Sequence, residues 1–479
     1  MKQRKTAYLI GIKGVGMTAL AQLLQARGFN VSGSDMPETF FTDAVLKRHG
    51  IKVYEGFNAG RIAGLVRGDR QSAAGDIMLI ASSAYTDKNP EVAEAKKLKR
   101  KVHSYAEALS LLFNQRHGIA VCGSHGKTTI SALLGYVFRS AGFKPTVVVG
   151  SEVPQFGGNN IAGDGRYFIA ELDEYQNKLR HFKPDAALLT SIDYDHPDFF
   201  KTRRAYRNVF NEFIARLGRN GLLVACADDL EVRNAAKKSK AKIIWYGIAE
   251  NGSLPPASPF WTGRAIRVIR GRWQFDAYRG DKKFGSFGLR LAGRHNVQNA
   301  LGVIALAHAY GIKRAVLRKA LAAFSGTRRR FEYIGTYRGA VLIDDYAHHP
   351  TEIRSTLAAA RELFAGKRIV AVFHPHTYTR TKALLKEFAR SFADADAVIV
   401  LDIYGSAREK IGGVSSGDLV KIAAKHHAAV RHIPTIAKTI AYLKKALHSD
   451  DVVIALGAGD VWKVVSTLAK FKHRGGVIR

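Results

Sequence analysis

At 479 residues the chain is too long for one hydrophobic core, and its length predicts about two to four domains. Hydrophobic residues make up 47% and charged residues 24%, which excludes a disordered chain, and no apolar run is long enough to span a bilayer. The formal net charge of +34 would suit a nucleic-acid or membrane-surface binder. Its local runs argue otherwise. Lys96-Lys97-Leu98-Lys99-Arg100-Lys101 and Lys237-Lys238-Ser239-Lys240 lack interleaved aromatics and read as solvated helix faces. The charge is therefore read as spread over an enzyme that handles anionic substrates, not as a nucleic-acid site. Cys122 and Cys226, the only cysteines, provide neither a disulfide framework nor a metal cluster, and a reducing cytoplasm fits.

In chain order, the start resembles a signal peptide, charged and then apolar, but glycines interrupt the apolar stretch. It reads instead as a strand, Tyr8–Ile12, opening into Gly11-Ile12-Lys13-Gly14-Val15-Gly16-Met17 and a helix over Ala19–Leu24. Taken alone, this loop is a weak dinucleotide fingerprint. Val31–Asp35 and Ile77–Ser82 are further strands, and the βαβ rhythm implies a parallel sheet. A second unit starts near Gly118 with the buried strand Ile119–Cys122, and Tyr167–Glu171 and Ala186–Ile192 continue it. The stretch Glu250–Asp281 reads as antiparallel strands or an excursion. A third unit follows Phe324-Ser325-Gly326-Thr327. Its strands are Ala340–Ile343, Ile369–Phe373, Ala397–Leu401 and Val452–Leu456, with helices over Pro350–Leu363 and Thr381–Phe392. The expectation is an α/β chain of three domains, residues 1–115, 116–325 and 326–479: Rossmann-like, P-loop-type ATPase and Rossmann-like.

Gly123-Ser124-His125-Gly126-Lys127-Thr128-Thr129 lies between a strand and a helix, where a phosphate loop belongs. Gly123 and Gly126 let backbone N–H groups approach phosphate oxygens, Lys127 reaches the β- and γ-phosphates of ATP, and the Thr128 hydroxyl is a ligand for Mg²⁺. Only two residues separate the glycines, so this is not a standard Walker A loop. Glu171-Leu172-Asp173-Glu174 places three carboxylates at a strand end beside it, and hard Mg²⁺ prefers such oxygen ligands.

The short loop G-x-x-G-K-T-[ST] resembles that of the Mur ligases and the related folylpolyglutamate synthetases, and the remaining motifs favour the Mur family. Glu171 matches that family's metal-binding Glu, with Leu172 in place of the usual Ala. Thr190-Ser191-Ile192-Asp193-Tyr194-Asp195-His196 resembles T-N-[IL]-x-x-D-H, with Ser191 for Asn, which implies His196 as ligand of a second Mg²⁺. The family often carries a carbamylated lysine downstream; Lys201 comes too early and Phe210 stands near the expected spacing. Gly293-Arg294-His295-Asn296-Val297-Gln298-Asn299-Ala300 is similar to G-x-H-N-x-x-N-A, at the start of an apolar helix over Ala300–Ala309, and implies nucleotide contacts for His295, Asn296 and Asn299. Arg330, in Gly326-Thr327-Arg328-Arg329-Arg330, is implied to face the nucleotide, as are Asp345 and Tyr346 in Asp344-Asp345-Tyr346-Ala347-His348-His349-Pro350-Thr351-Glu352.

His374-Pro375-His376-Thr377-Tyr378-Thr379-Arg380-Thr381 resembles [FQ]-P-H-x-[FY]-[ST]-R-T, and Asp402-Ile403-Tyr404-Gly405-Ser406-Ala407-Arg408-Glu409 resembles D-I-Y-x-A-R-E. These imply an amino-acid site of His349, His376, Arg380, Tyr404 and Arg408, and Gly457-Ala458-Gly459-Asp460 is the late G-A-G-[DN] turn. Within the family the N-terminal loop implies a UDP-sugar site of Gly11, Lys13, Gly14, Val15, Gly16 and Met17, with Ser34 and Asp35 on the nucleoside side. The resemblance implies ATP-dependent acyl activation with Lys127, His196, His348, His376 and Arg380 in catalysis, the amine proton going to His348, His349 or His376. The HHP-T-E signature is typical of the branch that joins L-alanine to UDP-N-acetylmuramate and of its peptide-recycling relative, and the compact segment Glu174–Pro184 points to the first. The recycling branch, which adds a ready-made tripeptide, and a nucleic-acid-stimulated P-loop ATPase are the alternatives. A monomer or weak dimer is expected.

Overall fold

The computed structural model describes residues 5–40, 42–70, 77–248, 260–405, 409 and 412–470. The apolar runs of the sequence become three sheets flanked by helices. The first holds β1 (Thr6–Ile10), β2 (Asn30–Asp35), β3 (Lys52–Glu55), β4 (Met78–Ala81) and β5 (Val102–Ser104), all parallel in the order β3-β2-β1-β4-β5. The order reverses beside β1, and in such sheets ligands bind at that crevice. Gly33 lets β2 pass close to β1, because a Cβ there would lie 2.2 Å from the Leu9 carbonyl oxygen.

The second sheet has ten strands: β6 (His117–Cys122), β7 (Thr146–Val153), β8 (Gly158–Ile161), β9 (Tyr167–Glu171), β10 (Ala186–Leu189), β11 (Leu222–Cys226), β12 (Lys242–Ile248), β13 (Phe260–Ile269), β14 (Arg272–Arg279) and β15 (Lys282–Leu289). The central strand β6 lies between β10 and β9 in a parallel core, and β13–β15 form the expected antiparallel extension. Residues 249–259 of the stretch read as strands or an excursion lie outside the described residues. The third sheet runs β16-β17-β21-β18-β19-β20, formed by β16 (Glu332–Tyr337), β17 (Ala340–Asp345), β18 (Arg368–Phe373), β19 (Ala397–Val400), β20 (Val430–His432) and β21 (Asp451–Leu456). Only β16 is antiparallel to its neighbour. The three-domain α/β architecture expected from the sequence is what the chain adopts.

Several local expectations need correction. The helix expected over Thr381–Phe392 is two short helices, Tyr378–Ala383 and Leu385–Ala389, because Leu384 leaves helical geometry at φ −115°, ψ 23°. The apolar helix of the third sequence motif begins earlier, at Arg294, which puts His295, Asn296 and Asn299 inside its first turns. Neither basic run is a helix face along its length. The helix Pro90–Lys97 stops before Lys99, which has φ +55°, and Lys237–Lys240 follow the end of the helix Leu230–Ala236.

The core is divided unevenly. One hydrophobic cluster runs without a break from Ala7 in the first sheet to Phe324 after the second. The third sheet has clusters of its own on its two faces. Phe113, fully buried at the end of the helix Tyr105–Phe113, joins the first two units: its ring lies 5.5 Å from that of Phe168 and 5.4 Å from that of Phe182. Phe113→Ala is expected to cost about 3–5 kcal/mol in urea unfolding, the range for a large aromatic lost from a packed core, and a loss below about 1 kcal/mol would contradict this weld.

Candidate active site

β6 ends at Cys122 and the helix Lys127–Ser140 begins after four intervening residues, so Gly123–Gly126 must turn within one short loop. Gly123 (φ +128°) and Gly126 (φ +78°) take backbone conformations that side chains rarely adopt. They are also crowded: a Cβ would lie 2.1 Å from Thr190 Oγ1 at the first and 2.7 Å from Asn299 Oδ1 at the second. Gly126 caps the helix without a side chain and no acid occupies the first turn, so the N–H groups there remain open to an anion. Ser191 accepts a hydrogen bond from the His125 N–H at its Oγ (3.1 Å) and from the Ser124 N–H at its carbonyl (2.8 Å), fastening the loop.

Lys127 Nζ donates to the Ser124 carbonyl (3.1 Å), to the Gly123 carbonyl and to Glu174 Oε2 (3.1 Å). Burial alone would lower the pKa of this ammonium, but Glu174, Asp173 and Glu171 outweigh it and raise it, so Lys127 carries a full positive charge. Glu174, 1% exposed, is held from its other oxygen by the Tyr206 hydroxyl at 2.9 Å, which also lies 2.7 Å from Ser124 Oγ. Thr128 Oγ1 donates to Glu171 Oε1 at 2.7 Å, and the Gly150 N–H donates to the other oxygen of Glu171. His196, strained at φ +56°, brings Nε2 to 3.8 Å from both Glu174 Oε1 and Asp195 Oδ2. Thr128, Glu171, Glu174 and His196 are mostly oxygen donors with two carboxylates, a set that suits a hard divalent cation. Lys201 turns its ammonium onto the Asp198 carbonyl (2.6 Å) and Phe210 is buried in the core, so neither supplies a lysine to this group.

The C-terminal domain meets the phosphate loop through charges. Arg380 and Asp195, 4% and 7% exposed, form a two-point ion pair, Nε to Oδ1 at 2.7 Å and Nη2 to Oδ2 at 3.3 Å. Burial would raise the Asp195 pKa, but Arg380 overcomes it and holds the carboxyl well below the usual range. His125 lies between Asp193 (3.0 Å) and Glu352 (3.3 Å), Thr351 Oγ1 donates to Asp193 (2.7 Å), and Arg330 stands 3.7 Å from Glu352. His348 and His376 are the reverse case. Burial lowers their pKa values to about 3 and about 4, so both are neutral imidazoles that can accept a proton.

Three clefts converge here. One is lined by Gly126, Thr128, Thr129, His295, Asn296, Asn299, Arg330 and Asp345, and so gathers most of the residues the sequence assigned to ATP. Asp345 is fixed there by the N–H groups of Phe331 and Ala347, each at 2.7 Å. A second runs from Gly14–Met17, at the start of the helix Val15–Ala26, to Glu171 and Lys178. A third holds Val15, Thr128, Glu171, Arg330 and Tyr346, whose ring lies 5.0 and 5.2 Å from the Arg329 and Arg330 guanidinium carbons. Thr128 and Arg330 belong to the first and third clefts, and Glu171 to the second and third. The strained residues Gln176, Asn177, His196, Arg329, Phe331 and Thr377 lie along this junction.

Other assigned residues sit elsewhere. Lys13 is buried, its N–H on Asp35 (2.7 Å) and its ammonium on the Met36 and Glu38 carbonyls. Ser34 is fully buried on Glu91, and Asp35 also accepts from the Tyr85 hydroxyl (2.8 Å), so these three fasten the loop and do not line the cleft. Gly11, at φ +83°, packs against the Tyr85 ring. Arg380 is occupied by Asp195, and His349 Nδ1 caps the helix Pro350–Leu363. Tyr404 stacks on His376 with ring centroids 5.7 Å apart; Arg408 lies outside the described residues. Asp195, Glu174 and Tyr206 were not assigned from sequence. The Asp-His pair and the acidic run hinted at the first two, whereas Tyr206 belongs to no motif.

Family models match along almost the whole chain: "Mur ligase family, catalytic domain" over residues 6–117, "Mur ligase middle domain" over 121–307 and "Mur ligase, glutamate ligase domain" over 329–459. The chain is 38% identical over 465 residues to a UDP-N-acetylmuramate–L-alanine ligase of Desulfitobacterium hafniense, covering 96% of this chain and 98% of that one. The chain belongs to the Mur ligase family. A Sorangium cellulosum protein of the same name is 38% identical, with 95% and 93% covered. Among solved structures, the UDP-N-acetylmuramate-alanine ligase of Thermotoga maritima superposes with a TM-score of 0.77 at 25% identity, covering 97% and 98%. A murein peptide ligase of Psychrobacter arcticus shares the fold, with a TM-score of 0.68 at 23% identity over 98% and 99%.

For this Mur ligase the interdomain pair sets a clear expectation. Arg380→Ala leaves the Asp195 carboxylate buried and unpaired, which costs about 3–5 kcal/mol. Thermal unfolding should show the C-terminal domain melting earlier than in the wild type, and an unchanged transition would contradict the assignment.

Proposed function

We propose that the protein joins L-alanine to the lactyl carboxylate of UDP-N-acetylmuramate at the expense of ATP, in peptidoglycan synthesis. The observation that carries this reading is the junction of clefts at Thr128, Glu171 and Arg330, which brings the cleft beside the phosphate loop and the groove at Gly14–Met17 to one point. The relatives' shared name supplies the substrates, and all eight relatives compared at 34–38% identity carry it. Of two solved structures at 25% identity, the alanine ligase superposes with a TM-score of 0.77 over 97% of this chain and the ligase of the L-alanyl-γ-D-glutamyl-meso-diaminopimelate tripeptide with 0.59 over 68%, which does not favour the recycling reading.

The sugar's pyrophosphate rests on the N–H groups at Gly14–Met17, where a helix start favours an anion. ATP lies between Asn296 and Asn299 on one side and Asp345 and Arg330 on the other, its phosphates over Gly123–Thr129. The lactyl carboxylate oxygen attacks the γ-phosphorus, the bond to ADP breaks, and an acyl phosphate forms. Lys127 and Arg330 offset the charge that gathers on the phosphoryl oxygens. The cation, read as Mg²⁺, would be held by Thr128, Glu171, Glu174 and His196 and would supply further charge neutralisation there. The alanine amine then attacks the acyl carbon and phosphate leaves. The amine proton passes to a neutral imidazole, His348 or His376, both of which burial keeps unprotonated. The high positive charge suits three anionic reactants. No helix among the described residues is long and apolar enough to cross a membrane, and we place the enzyme in the cytoplasm, as a monomer or weak dimer with domains at 1–115, 116–325 and 326–479.

The test is phosphate release from ATP and Mg²⁺ with UDP-N-acetylmuramate. Release is expected with L-alanine and not with the L-Ala-γ-D-Glu-diaminopimelate tripeptide, and Lys127→Ala should slow it by about 10²–10³-fold, the usual loss of one transition-state charge contact. Release with the tripeptide alone would move the enzyme to recycling, and stimulation by nucleic acid alone would make it a different ATPase.

A further inference from the structure

Three metal-ligating side chains meet at the seam between the middle and C-terminal domains without belonging to the Thr128–Glu171–Glu174–His196 group. His125 Nε2 and His349 Nδ1 face Asp193 Oδ2 at 3.0 and 3.5 Å, and all three atoms lie within 4.8 Å of one another. Zinc bonds to nitrogen and oxygen are about 2.0–2.1 Å long, so neighbouring ligands of a tetrahedral ion stand about 3.3–3.4 Å apart. Two edges of such a tetrahedron are therefore already close to their required length.

The other ring nitrogens are arranged to match. His125 Nδ1 lies 3.3 Å from the Glu352 carboxylate and His349 Nε2 lies 3.2 Å from the Tyr194 carbonyl. The Tyr194 carbonyl keeps the His349 N–H on Nε2 and leaves its Nδ1 lone pair, which accepts the Thr351 N–H at 3.3 Å, on the side of Asp193. His125 faces a carboxylate at each nitrogen and is held protonated, so an ion at Asp193 takes the place of its Nε2 proton. Metal-binding histidines are held in this way, by an outer carboxylate or carbonyl that fixes the tautomer. His349 is buried, and the nucleotide pocket, lined by His125, Thr351 and Glu352, gives access from solvent. Without a cation, a protonated His125 bridging Asp193 and Glu352 satisfies the same atoms, which is the competing account of the cluster.

We propose that His125, Asp193 and His349 form an inhibitory site for a borderline divalent cation of the Zn²⁺ class, separate from the catalytic cation. Two imidazoles and one carboxylate select such an ion over Mg²⁺, which demands oxygen donors. His125 and Asp193 come from the middle domain and His349 from the C-terminal domain, so the bound ion pins the two together across the mouth of the nucleotide pocket. Turnover requires that mouth to open for ADP to leave, so the pinned enzyme stalls. The two thiols offer no competing zinc site: both are buried, and burial raises the Cys122 pKa to about 12.

The test uses the full chain freed of metal. Zn²⁺ is added in equilibrium dialysis with Mg²⁺ in excess, and Co²⁺ is used as an absorbing substitute. The wild type should bind one equivalent, and His125→Ala, Asp193→Asn and His349→Ala should each weaken binding by at least about 10-fold. Circular dichroism establishes that each variant is folded. X-ray absorption of the zinc-loaded wild type, which needs no variant, should show two imidazoles and one carboxylate oxygen about the metal. Zinc should also slow phosphate release, and a chelator should restore it. Absence of stoichiometric binding, affinity unchanged in all three variants, or an all-oxygen shell would overturn the proposal. None of these outcomes depends on which amino acid the enzyme ligates.

Discussion

The Asp195–Arg380 pair is the interaction on which the assembled site depends. Two charges sit almost out of water, satisfied chiefly by one another, and they join the loop after β10 in the middle domain to a short helix of the C-terminal domain. Once they are paired, Asp193 meets Thr351, His125 meets Glu352, and Arg330 is brought beside the phosphate loop. A buried ion pair adds little to net stability because desolvation offsets its attraction, but it is exacting about geometry. It serves here to define where the third domain docks.

The contrast with the other interface explains how the enzyme can cycle. The first two domains share an unbroken hydrophobic cluster in which Phe113 packs between Phe168 and Phe182, and separating them would expose that core. Among the described residues the contacts that join the third domain to the phosphate loop are polar, and its own core is complete without its neighbours. Polar seams exchange protein contacts for water contacts at small cost, so they can open and close. A ligase that must admit three reactants, exclude water during acyl transfer and then release ADP needs one such joint.

What was legible in the sequence follows the same physics. The phosphate loop was readable because Gly123 and Gly126 occupy positions where conformation and crowding leave no alternative. Asn296 and Asn299, three apart at a helix start, line one cleft together as their spacing implies. Residues whose role depends on a distant partner were not readable. Ser34 and Asp35 look like ligand contacts in a motif, and nothing local shows that Glu91 and Tyr85, far along the chain, also hold them. Arg380 was read as a substrate contact from its motif, and nothing in the sequence announces its ion pair with Asp195, 185 positions away. Tyr206 carries no local pattern, and only the fold brings its hydroxyl to Glu174 and Ser124.

The middle and C-terminal domains meet at a polar seam that acts as a hinge, while the first two domains form one body. Both native cysteines are buried, so spin labels on introduced cysteines can report it. One label pair belongs at the exposed positions Leu230 and Lys425, across the joint, and a reference pair at Lys47 and Leu230, across the weld. Electron–electron distance measurements should give a broad distribution for the first pair in ligand-free protein, narrowing when ATP and UDP-N-acetylmuramate are added. The reference pair should give one narrow distance throughout. Equal, unchanging widths for both pairs would contradict the hinge and make the enzyme a rigid whole.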